Sequence, residues 1–137
     1  MNERVARLIG LALCGGITLS LVGGQTAHAE TLGALLQALD KVTARVSELE
    51  APIDQPVRFG TLTITAHACH KTPPEEPPES AAFLEIEERR EGEPSTPLFT
   101  GWMFASSPGL SALEHPVYDI WVLDCITGSE EPVQDDG

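Results

Sequence analysis

Val57-Arg58-Phe59-Gly60-Thr61-Leu62-Thr63-Ile64-Thr65-Ala66-His67-Ala68 is the stretch that decides the fold class. Leu62, Ile64, Ala66 and Ala68 fall on one parity, while Thr61, Thr63, Thr65 and His67 fall on the other. Alternation of this kind, in a run rich in β-branched residues, marks a strand with one face buried. The spacing predicts a strand over 57–68. Cys69 then falls on the polar parity, so either the strand ends at Ala68 or a bulge turns the cysteine inward.

Downstream, His70 to Ser80 (HKTPPEEPPES) holds four prolines and three glutamates. Proline removes ladder donors and favours an extended, solvated chain, so this segment reads as a loop. It is either a plain linker or a ligand for a proline-binding partner. Ala81 to Arg90 (AAFLEIEERR) reads as a half-buried edge strand. Leu98 to Ser106 (LFTGWMFAS) carries Phe99, Trp102, Met103 and Phe104, the densest aromatic cluster in the chain. Ser107 to Pro116 is turn-rich. Val117 to Cys125 (VYDIWVLDC) reads as a last strand, with Val117, Asp119, Trp121, Leu123 and Cys125 on one parity. Residues 127–137 are acidic and lack any base, the composition of a disordered tail.

Upstream, Leu32, Leu35, Leu36 and Leu39 stand at i, i+3, i+4 and i+7, which predicts a short helix over 31–39. A strand over 42–50 follows, closed by a turn between Pro52 and Pro56. The predicted organisation is an N-terminal arm or short helix at 30–40 and a β domain at 41–126. Its fold class is mainly β, a small antiparallel β-sandwich or partly open barrel with one disulfide.

The first 29 residues read as an address. Arg4 and Arg7 precede an uncharged run from Leu8 to Val22, and Ala27-His28-Ala29 offers a small-x-small cleavage site. These are the parts of a secretory signal peptide. The apolar run is shorter than the roughly 20 residues of a membrane span. A lipoprotein reading at Cys14 is disfavoured, because Leu13 is large where such boxes need a small residue. Cleavage after Ala29 leaves Cys69 and Cys125, an even pair in an oxidising periplasm, and predicts one disulfide. Its loop of about 57 residues corresponds to roughly 4 kcal/mol in the chain-entropy picture.

Charge narrows the partners. Eight Lys and Arg stand against 21 Asp and Glu, a net charge of −13 over 137 residues. Such a chain repels a phosphate backbone and anionic lipid, which excludes a nucleic-acid binder. Its length also excludes the eight-stranded barrel and the dinucleotide-binding double-wound sheet.

The motifs Arg58-Phe59-Gly60-Thr61-Leu62-Thr63-Ile64, Cys69 with Pro73-Pro74-Glu75-Glu76-Pro77-Pro78-Glu79, Gly101-Trp102-Met103-Phe104-Ala105-Ser106-Ser107-Pro108 and His115-Pro116-Val117-Tyr118-Asp119-Ile120-Trp121-Val122-Leu123-Asp124-Cys125 stand in this order. Together they resemble the small exported bacterial proteins of domain of unknown function 2155. The resemblance spans roughly Leu39 to Cys125. It implies an exported domain with paired cysteines, and no activity.

Two readings of function remain. The first is an exported cell-envelope protein acting as a non-catalytic binding or structural module, whose partner is an envelope protein or a glycan. Its binding side would be built from Leu98–Ser106 and Val117–Cys125, with Trp102, Met103, Phe104, Ser107, His115 and Tyr118 as contact residues. Trp, Tyr and Met are types that concentrate at interfaces. The second is a small periplasmic metal-binding protein or hydrolase using His67, His70 and His115. Against it, His67-Ala68-Cys69-His70 lacks known ligand spacing, and Ser106-Ser107-Pro108 lacks a nucleophile elbow. No residue is therefore assigned a catalytic role, and neither a metal nor a cofactor is expected.

Overall fold

The computed structural model describes residues 30–128. The expected signal peptide, and residues 129–137 of the expected tail, lie outside them. Seven strands are present: β1 Glu30–Asp40, β2 Arg45–Pro52, β3 Val57–Phe59, β4 Leu62–Lys71, β5 Ser80–Glu88, β6 Thr96–Phe104 and β7 Tyr118–Gly128. They form a three-stranded sheet in the order β2-β1-β7 and a four-stranded sheet in the order β3-β4-β5-β6, with every pairing within them antiparallel. Their inner faces enclose one core as an open sandwich. Leu36 and Val122 on one side meet Leu62, Ile64, Leu84, Ile86 and Met103 on the other.

The expected helix at 31–39 is instead the central strand of the smaller sheet. Its leucines stand at helical spacing, but burial follows a period of two: Ala34, Leu36 and Ala38 are buried, with Leu35, Gln37 and Leu39 on the opposite face. Neighbours on both sides satisfy its backbone, and that pairing overrides the helix preference of Ala and Leu. A Cβ on Gly33 would lie 2.5 Å from the Ala51 carbonyl oxygen, so glycine permits the close approach of β1 and β2. The turn between them is set by Asp40, whose carboxylate accepts the amides of Val42 (2.9 Å) and Thr43 (3.2 Å).

The deciding stretch is not one strand but a hairpin. Gly60 adopts φ +57° and closes β3 onto β4, with Val57 opposite Ile64 and Phe59 opposite Leu62. A side chain at Gly60 would also run into the Tyr118 hydroxyl. β5 is likewise not an edge, because β4 and β6 flank it. Its even positions, Ser80, Ala82, Leu84 and Ile86, are buried, and its odd positions face outward.

Two surplus residues correct the parity of the cysteines. In β4 the register jumps from Ala66 opposite Leu84 to Ala68 opposite Phe83, leaving His67 as the bulged residue. Leu62, Ile64 and Ala66 face the core before the bulge, and Cys69 faces it after. In β7 the register jumps from Val122 opposite Leu36 to Asp124 opposite Leu35, so Leu123 is surplus. Ile120 and Val122 are buried before it and Cys125 after it, in place of the odd parity expected from the sequence. The disulfide Cys69–Cys125 then joins the two sheets with its Cα atoms 5.7 Å apart. β7 also runs through Gly128, so Thr127 and Gly128 belong to the sheet rather than to a tail.

A second link is backbone. Ile53 donates its amide to the Leu32 carbonyl (3.0 Å) and pairs in parallel with Ala66 of the other sheet. Asp54, at φ +59°, then donates its amide to the Ala66 carbonyl (2.8 Å).

Candidate functional site

Pleating sends alternate residues of β4, β5 and β6 to the outside of the four-stranded sheet. Phe83 on β5 stands opposite Trp102 on β6 and beside the bulge of β4. The rings form a row. His67 lies 6.3 Å from Phe83, Phe83 lies 5.5 Å edge-on from Trp102, and His70 stacks on Trp102 at 5.5 Å and 27°. Trp102 is 36% exposed, a large aromatic left open to water.

Acids border one end of the row. His67 Nδ1 lies 2.7 Å from Asp54 Oδ1, and its Nε2 lies 2.9 Å from Glu85 Oε2. Carboxylates only accept, so an imidazole that satisfies both must donate from both nitrogens and carry a positive charge. The hydrogen bond to Asp54, then that to Glu85, raises the pKa of His67 above its ordinary 6.5. The two acids lie on opposite edges of the ring and share no point where an ion could sit.

His115 is used differently. Its Nδ1 accepts the amides of Val117 (3.0 Å) and Tyr118 (3.1 Å), which fixes the remaining proton on Nε2. That nitrogen donates to Glu88 at 2.7 Å. The hydrogen bond from His115 holds the Glu88 carboxyl below the usual carboxylate range, with Arg90 adding to it. The imidazole is 4% exposed and stacks on Tyr118 at 5.1 Å. With both nitrogens engaged, this ring has none free to serve as a general base.

The contact residues expected from the sequence therefore separate. Trp102 and Phe104 lie on the outer face of β6, whereas Met103 points inward and is buried in the core. His115 and Tyr118 sit at the Glu88 end of β5. Ser107 follows β6 at the other end, roughly 25 Å away by strand rise. β6 and β7 do not pair, because each lies at the edge of a different sheet. The three histidines do not converge either: His67 and His70 lie on the outer face, and His115 is buried against Glu88. Among the described residues no group of three or more His, Cys, Asp or Glu has the arrangement to hold a metal ion.

Phe83, Glu85 and Asp54 are members of this site that the sequence reading did not single out. Phe83 and Glu85 were legible only as the outward parity of β5. Asp54 carried a turn signal, lying between Pro52 and Pro56, and no sign of its partner.

A curated relative, "Uncharacterized protein RP359" of Rickettsia prowazekii (strain Madrid E), is 36% identical over 88 residues, covering 64% of this chain and 57% of the relative. The chain thus spans less than two thirds of that relative's length. No solved structure matches. The family described as "Uncharacterized protein conserved in bacteria (DUF2155)" matches residues 34–125, which take in all or part of each of the seven strands and both cysteines, and the chain belongs to that family.

Proposed function

We propose that this is an exported, non-catalytic binding module of the bacterial cell envelope, engaging an envelope protein or glycan through the outer face of its four-stranded sheet. The observation that carries the reading is the row His67–Phe83–Trp102–His70, which presents an exposed tryptophan. A large aromatic presented on a rigid sheet loses little conformational freedom on binding and can bury much area. Two of the three histidines that would serve catalysis have structural partners: His115 holds Glu88 and two backbone amides, and His67 bridges two carboxylates. Export is supported by the charged start, the apolar run and Ala27-His28-Ala29, and by a disulfide of the kind that persists in oxidising compartments.

Crosslinking in intact envelopes tests the reading. Trp102→Ala should leave the melting temperature within a few degrees of wild type and lose the crosslinked partners. Retention of every wild-type partner by this variant would mean that the face is not the binding surface. Intact mass of the protein from its native envelope should correspond to a chain beginning at Glu30, and a species beginning at lipid-modified Cys14 would overturn cleavage after Ala29.

A further inference from the structure

The proline segment after β4 is not a slack linker. Thr72 donates its amide to the Glu79 carbonyl (2.9 Å), Glu79 donates its amide to the Thr72 hydroxyl (2.9 Å), and that hydroxyl donates to the Pro77 carbonyl (3.0 Å). Closed in this way, the loop stands opposite Ala105, Ser106, Leu123 and Asp124 across an open cleft of about 520 Å³. That volume lies within the range of ligand clefts. Pro73, Pro74 and Pro78 form one apolar wall, and Ala105 and Leu123 contribute to the other.

The charges that line the cleft do not balance. Glu76, Glu79 and Asp124 face Lys71, the one basic residue among the described lining. The Lys71 ammonium lies 3.0 Å from both Asp124 oxygens, so those two charges offset each other. Glu79 is kept ionised by the hydroxyl and amide of Ser106 and the amide of Ser80, and the Ser106 hydroxyl does most to lower its pKa. Glu76 and Glu79 are left without a lining cation, beside walls that suit an aliphatic stem.

We infer that this cleft receives a basic side chain, arginine or lysine, carried on an extended segment of a protein partner. The methylene stem lies between the proline wall and Leu123, and the cationic head meets Glu76 and Glu79. A net charge of −13 on the chain attracts such a segment from a distance, and the cleft fixes its place. The site is separate from Trp102 and its aromatic row, and the inference does not rest on that face.

Acetylated, amidated tri-arginine is the probe, followed by backbone NMR at about 150 mM salt, where screening acts beyond roughly 8 Å. Saturable shifts should concentrate in Thr72–Ser80, Ala105 and Ser106. Glu76→Gln, at an exposed position, should weaken binding roughly tenfold, the effect of one charge-assisted contact. Glu48→Gln makes the same charge change at an exposed position of β2, outside the lining of the cleft, and should leave affinity within about twofold. The tri-citrulline counterpart, similar in shape and uncharged, should not bind. Shifts spread over the acidic surface, equal weakening by the two variants, or no saturable binding would each overturn the inference.

Discussion

Cys69 and Cys125, which are 56 residues apart in sequence, meet between the two sheets and join β4 to β7. Protein purified without reductant as a chain beginning at Glu30, then denatured, should therefore show no free thiol. Replacing both cysteines with alanine should lower unfolding free energy by about 4 kcal/mol, read from urea unfolding with an m-value that rises as the denatured chain expands. Two titratable thiols in the wild-type protein would contradict the link.

The buried pair of His115 and Glu88 has a definite pH signature. The Glu88 carboxyl titrates below its unfolded value because His115 donates to it. Its contribution to stability is present above the unfolded carboxylate pKa and is lost as pH falls through the lower folded value. Glu88→Gln should flatten the acid limb of the stability profile. His115→Ala should cost about 2 kcal/mol near neutrality, because it leaves the amides of Val117 and Tyr118 without their acceptor.

His67 has the opposite sign. Its folded pKa is raised, chiefly by the hydrogen bond to Asp54, so its contribution is complete below 6.5 and is lost as pH rises through the higher folded value. Melting temperature should fall across that alkaline step in wild type and change less in His67→Gln. NMR titration of the ring should place its midpoint above 6.5. A midpoint at or below that value would show that the double bridge does not form.

Two glycines separate strain from steric conflict. Gly60 (φ +57°) and Gly92 (φ +76°) both lie in the left-handed region, but a Cβ at Gly92 meets nothing while one at Gly60 meets Tyr118. Gly92→Ala should cost about 1 kcal/mol, the backbone penalty alone. Gly60→Ala should cost clearly more. Equal losses in thermal unfolding would show that the Tyr118 ring gives way freely.

Much of the architecture was readable from local pattern. Thr63, Ile64, Thr65 and Ala66 announced a strand by alternation, and the even pair of cysteines announced the bridge. What failed was decided by distant partners. Leu32, Leu35, Leu36 and Leu39 satisfy a helix template, and only pairing with β2 and β7 makes the alternation of Ala34, Leu36 and Ala38 the one that counts. Gly60 could have been a strand glycine, and its positive φ follows from the way β3 folds back on β4. The same limit applies to the site. Trp102, His67 and His70 stood out by residue type, but their neighbours Phe83, Glu85 and Asp54 come from register and from a crossover between sheets.

The surplus residue that turns Cys69 toward its partner is His67 itself, the residue that gathers Asp54 and Glu85 at the end of the aromatic row. A deletion of one residue between Ala66 and Cys69 would restore regular pleating. The cysteine would then stand two positions after Ala66 and still face the core, so the bridge keeps its place, while loss of His67 itself strips the imidazole from the outer surface. Covalent closure thus tolerates this one change of length and the surface chemistry does not, so descendants of this sequence can lose the histidine and keep the bridge.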